Sequence, residues 1–95
     1  MKFNGPFKDD INNYIDYRTN IKYQKLKTVK AELKLFDEYT LNIKVNNELT
    51  KEIVENWLTL RKDENPKTLN KRLYTIRVFA KYLNMIGKPA FIIST

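Results

Sequence analysis

No cysteine and no histidine occur among the 95 residues, glycine appears twice and proline three times. Without cysteine there is no disulfide framework and no thiolate metal site, a usage that fits a reducing cytoplasm. Without histidine the chain lacks the side chain that most often serves as general base or zinc ligand. Gly5 and Gly87 lie at opposite ends, so no glycine-rich loop is available to cradle a phosphate. So few turn-forming residues also disfavour a many-stranded β fold. No apolar run approaches the ~20 residues that a membrane span needs. The opening Met1-Lys2-Phe3-Asn4-Gly5-Pro6 lacks the apolar stretch of a secretory signal.

What is present is a hydrophobic fraction of 42% and an aromatic fraction of 13%. That is enough for a packed core in a chain the size of one domain, and it is not the composition of a disordered segment. The 18 Lys and Arg against 11 Asp and Glu leave a formal charge of +7. The charge is uneven: residues 1–66 hold 12 basic and 11 acidic side chains, whereas residues 67–95 hold six basic ones and no acid. A second local excess is formed by Lys22, Lys25, Lys27, Lys30 and Lys34, opposed only by Glu32. Asymmetry of this kind speaks to partners rather than to fold.

The apolar periodicity predicts four helices, five as the alternative count, and therefore a compact all-α bundle. The first follows Gly5-Pro6 and ends near Asn20, with Phe7, Ile11, Tyr14, Ile15 and Arg18 on one face and Asp9 and Asp10 in the first turn. The second spans residues 22–41 with Leu26, Val29, Leu33, Phe36 and Thr40 as its stripe. A polar connection over residues 42–47 follows. The third is capped by Thr50, with Leu49 and Val54 placed as a hydrophobic staple, and continues through Ile53, Trp57, Leu58 and Leu60 or Arg61. The fourth opens at Asn65-Pro66 and stops at Gly87, with Leu69, Leu73, Ile76, Phe79, Ala80 and Leu83 facing inward. The apolar residues 90–93 either pack back on the helices or open a linker.

The residues offer little for catalysis. The carboxylate pairs Asp9-Asp10, Asp37-Glu38 and Asp63-Glu64 fall at helix starts, on helix faces or in a loop, where solvated and capping roles are the ordinary ones. The six tyrosines have no His or Cys to activate them, and Trp57 sits among Ile53, Val54 and Leu58 as a core anchor. No metal ligand set and no cofactor site is expected.

The basic residues point elsewhere. Lys27, Lys30 and Lys34 recur at three and four on the second helix, beside its apolar stripe. On the fourth, Lys67, Thr68, Lys71, Arg72 and Thr75 occupy the N-terminal half, with Arg72 closest to the core edge. Lys and Arg suit phosphates, while Arg, Lys and Asn suit base edges in a major groove. For any one lysine, a solvated helix face is the ordinary explanation. For two clusters in a chain with no acid after Glu64, double-stranded DNA is the expected partner.

Three stretches, in order, carry a resemblance. They are Leu49-Thr50-Lys51-Glu52-Ile53-Val54-Glu55-Asn56-Trp57-Leu58, then Asn65-Pro66-Lys67-Thr68-Leu69, then Ile76-Arg77-Val78-Phe79-Ala80-Lys81-Tyr82-Leu83 leading to Gly87. Upstream, Thr28, Leu33, Phe36 and Tyr39 fit the preceding helix. Together they resemble the core-binding, SAM-like N-terminal domain of phage-integrase-type tyrosine recombinases. The resemblance implies a helical bundle that addresses the major groove with two helices, here those of residues 22–41 and 66–86. It implies DNA contacts at Lys27, Lys30, Lys34, Lys67, Thr68, Lys71, Arg72 and more weakly Thr75, with Arg77 either at the family's Arg-x-Phe position or structural. The family performs strand exchange with an Arg, a His-x-x-Arg pair and a nucleophilic Tyr in a separate domain, and this sequence contains no His.

The expectation is thus a non-enzymatic DNA-binding piece of a longer integrase, residues 1–90 forming the core-binding domain and 91–95 opening an interdomain linker. It would be monomeric in isolation, meet other integrase protomers in the recombination assembly, and require neither membrane nor cofactor. The alternative is a basic helical interaction domain for an acidic protein, signalled by an exposed apolar patch at Phe91, Ile92 and Ile93.

Overall fold

A computed structural model describes residues 3–20, 26–43, 48–59 and 66–93. Four helices follow one another: α1 (Lys8–Asn20), α2 (Leu26–Thr40), α3 (Lys51–Thr59) and α4 (Pro66–Met85). Among the described residues there is no β-strand, only an isolated parallel bridge between Leu49 and Ala90. The described residues are all-α, and the chain divides into two compact units, Met1–Asn47 with α1 and α2, and Glu48–Thr95 with α3 and α4.

In the first unit the loop before α1 is shaped by Gly5, whose carbonyl accepts the N–H of Lys8 at 3.1 Å. Asp9 and Asp10 then complement the free amides of the first turn. Phe7, Ile11 and Tyr14 are buried at the expected spacing. Arg18, one turn further on, is buried too, with its guanidinium 5.3 Å from the Tyr14 ring centre and Nη1 donating to the Tyr14 hydroxyl. Helix α2 answers with Val29, Leu33, Phe36 and Thr40, and the Phe7 and Phe36 rings meet at 5.8 Å. The N-terminal segment is strapped onto α2. The fully buried Asp37 carboxylate accepts the Asn4 N–H at 3.0 Å and the Gly5 N–H at 2.8 Å. Gly5 is required by this approach: a Cβ there would stand 2.6 Å from Thr40 Oγ1 and 2.9 Å from Asp37 Oδ1.

In the second unit Thr50 caps α3, its hydroxyl accepting the Ile53 N–H at 3.2 Å. Leu49 and Val54, the two halves of the expected staple, are both buried, as are Ile53 and Trp57. The end of α4 is a Schellman motif: Lys88 N–H bonds to Leu83 C=O at 2.8 Å and Gly87 N–H to Asn84 C=O at 3.1 Å. Gly87 supplies the left-handed residue, with φ at 89°. The chain then turns back. The Asn84 side chain donates to Ala90 C=O at 2.9 Å and accepts Ala90 N–H at 3.0 Å. Phe91 N–H reaches Leu49 C=O at 2.8 Å, so the chain remains tied to the unit past residue 90.

Two features of α4 differ from expectation. Leu69 is 40% exposed rather than inward, and the buried stripe runs through Arg72, Ile76, Phe79 and Leu83, with Thr75 and Ala80 beside it. The core axis of α4 is therefore rotated toward Arg72 and Thr75. The expected cap Asn65 and the positions Lys22, Lys25, Leu60 and Arg61 lie outside the described residues.

Candidate nucleic-acid interface

The expected contacts separate into exposed, half-buried and buried groups. On α2, Lys27 is exposed, while Lys30 and Lys34 are half-buried. Lys34 holds its ammonium 5.8 Å from the Phe3 ring centre, a cation–π contact that lays its stem along the N-terminal strap. Ala31 and Glu38 share the outward side of α2 with Lys27, so that side is less basic than the lysine spacing alone implies.

On α4, Lys67 and Lys71 are exposed and Thr68 is half-buried. Arg72 and Thr75 are not on the surface: they are 0% and 3% exposed. The expected DNA contacts at these two positions are therefore corrected to core roles. Arg72 Nη1 donates to the Trp57 carbonyl at 3.2 Å, and the guanidinium lies 4.4 Å from the Trp57 ring centre. Trp57 lies in the last turn of α3, where backbone carbonyls have no partner within their own helix. Arg72 thus closes the end of α3 from the side of α4, and its planar group satisfies a carbonyl while stacking on the indole. Thr75 Oγ1 is buried without a hydrogen-bond partner among the described residues, which costs stability that its methyl packing only partly offsets. Arg77 is half-buried, with its Nε enclosed and unbonded.

The same rotation brings other residues outward. Asn70 is exposed between Lys67 and Lys71, and Lys81 is exposed on the same side further along α4. Lys81 is among the six basic residues after residue 66 but lies beyond the N-terminal half of α4 from which the candidate contacts are drawn. Its signal was the four-three-three-four spacing from Lys67 through Lys71, Tyr74 and Arg77 to Lys81. The exposed side chains of α3 are Lys51, Glu52, Glu55, Asn56 and Thr59, so α3 carries acids whereas α4 carries none.

Among the described residues, no group of three or more His, Cys, Asp or Glu is placed to hold a metal ion. None of the described helices is long and apolar enough to cross a membrane. In comparisons with known proteins the chain matches no family model, no curated protein and no solved structure.

Proposed function

We propose that this chain is a duplex-DNA-binding module of the kind that tyrosine recombinases use to grip their core sites. The observation that carries the reading is on α4: Lys67, Lys71 and Lys81 are exposed in a stretch that contains no acid from residue 65 to residue 95. Phosphates near that helix meet positive charge that no carboxylate of α4 itself offsets. Lys27 and, in part, Lys30 add a second contribution from α2. The order and spacing of the Thr50–Trp57, Pro66–Thr68 and Arg77–Gly87 signatures support the recombinase type. On this reading the chain positions DNA in a recombination assembly with other integrase protomers and leaves strand exchange to another domain.

An NMR titration of the labelled protein with a short generic duplex tests the reading. Shifts are expected at Lys27, Lys67, Asn70, Lys71 and Lys81, fading as salt rises, because each neutralised phosphate contributes about −0.9 to the log–log slope. Silence at those amides in low salt refutes it. The second reading, a helical interaction domain, has one observation in its favour: Met85, Ile86 and Ile92 are 59%, 43% and 39% exposed at the end of α4 and just after it. Concentration-dependent shifts confined to those residues would favour it.

A further inference from the structure

The outward side of α4 is specific enough in its chemistry to assign roles within the interface, on the premise that the module binds duplex DNA. Lys67, Asn70 and Lys71 stand at i, i+3 and i+4, the spacing at which helix side chains are mutual neighbours. All three are exposed, whereas Arg72 and Thr75 face the core. Asn70 has an amide that offers both a donor and an acceptor, the pair that matches the N6 and N7 edge of adenine. The lysines on either side are longer and carry only donors, which suits phosphates. Lys81 lies about 21 Å from Lys67 along the helix axis. That exceeds the roughly 12 Å width of a major groove, so with the N-terminal end of α4 in the groove Lys81 lies over the backbone beside it. Asn70 then lies over the groove, one turn in from the N-terminus of α4, where α-carbon–β-carbon bonds tilt toward the approaching DNA.

We infer that Asn70 is the base-reading residue of α4, recognising an adenine in the major groove, and that Lys67, Lys71 and Lys81 are its phosphate contacts. The reading predicts sequence preference from one short amide and affinity from the cations around it.

Selection from a duplex library randomised over ten positions, followed by anisotropy on the enriched and scrambled duplexes, tests the assignment. The wild-type chain is expected to enrich an A·T pair at one position, and Asn70→Ala to lose that preference by about 5- to 140-fold. The salt slope of Asn70→Ala stays that of the wild type. Lys71→Ala behaves in the opposite way, binding all duplexes more weakly with a slope smaller by about 0.9. Because Asn70 is exposed and alanine is the better helix former, loss of folding does not stand in for loss of reading. Salt-dependent binding by the wild type with an enriched site that Asn70→Ala still prefers overturns the assignment and leaves the duplex reading intact. Wild-type binding without any base preference overturns it as well. Absence of salt-dependent duplex binding removes the duplex reading itself.

Discussion

Arg72 is the residue at which a surface role and a core role make opposite predictions. Replacing it by alanine removes a hydrogen bond from a charged donor to the Trp57 carbonyl and a guanidinium stacked 4.4 Å from the Trp57 ring centre. A hydrogen bond of that type contributes about 1.5–3 kcal/mol, and a desolvated cation–π contact about 2 kcal/mol. The loss should therefore be about 3–5 kcal/mol, with a cavity beside Trp57 adding to it. Arg72→Met restores most of the volume and leaves the carbonyl without its donor, so it should fall between alanine and the wild type. Trp57 is the one tryptophan of the chain, so its emission during urea unfolding reports on the second unit directly. The methionine variant, folded in dilute buffer, should keep the wild-type salt slope for duplex, since a buried guanidinium releases no counterions. Arg72→Ala within 1 kcal/mol of wild type, or a methionine variant whose slope drops by about 0.9, would refute the core assignment.

Two further variants probe the loops that close each unit. Asp37→Asn keeps the shape of the side chain but leaves one oxygen for two backbone donors, and should destabilise by about 1.5–3 kcal/mol in urea unfolding followed by circular dichroism. An unchanged midpoint would mean that the strap over residues 4 and 5 contributes nothing. Gly87→Ala meets no atom within 4 Å, so its effect is backbone strain alone at φ 89° and should be about 1–2 kcal/mol. A thermal midpoint lowered by roughly 4–16 °C is the expected readout, and no shift would contradict the left-handed requirement.

The helices were legible because their signals were local. Pro66, Thr50, Gly87 and the apolar spacing of Phe7, Ile11 and Tyr14 each act within a turn or two, and the structure uses them so. The division into two units was not legible, since no proline- or glycine-rich break separates them. The candidate site was half legible for a definite physical reason. Charge was taken as a mark of exposure, yet Arg72 stands at four, seven and eleven residues from Ile76, Phe79 and Leu83, the spacing of the buried stripe. Periodicity placed it in the core, and the indole of Trp57 gave the cation somewhere to lie. Asp37 was hidden differently: nothing near it in sequence reveals that its partners are amides 32 and 33 residues away.

The bonds that tie the two ends of the chain also set a sequence of events in time. Helix hydrogen bonds close over four residues, whereas a contact across tens of residues carries a larger entropic cost of loop closure that packing must first offset. The Asn4 and Gly5 amides on Asp37, and the Phe91 amide on Leu49, are therefore expected to be late arrivals in folding. Each unit then acts as a helical hairpin with a latch made of its own terminal backbone. In amide exchange the latches should open more readily than the interiors of α1 to α4, so that local release precedes global unfolding.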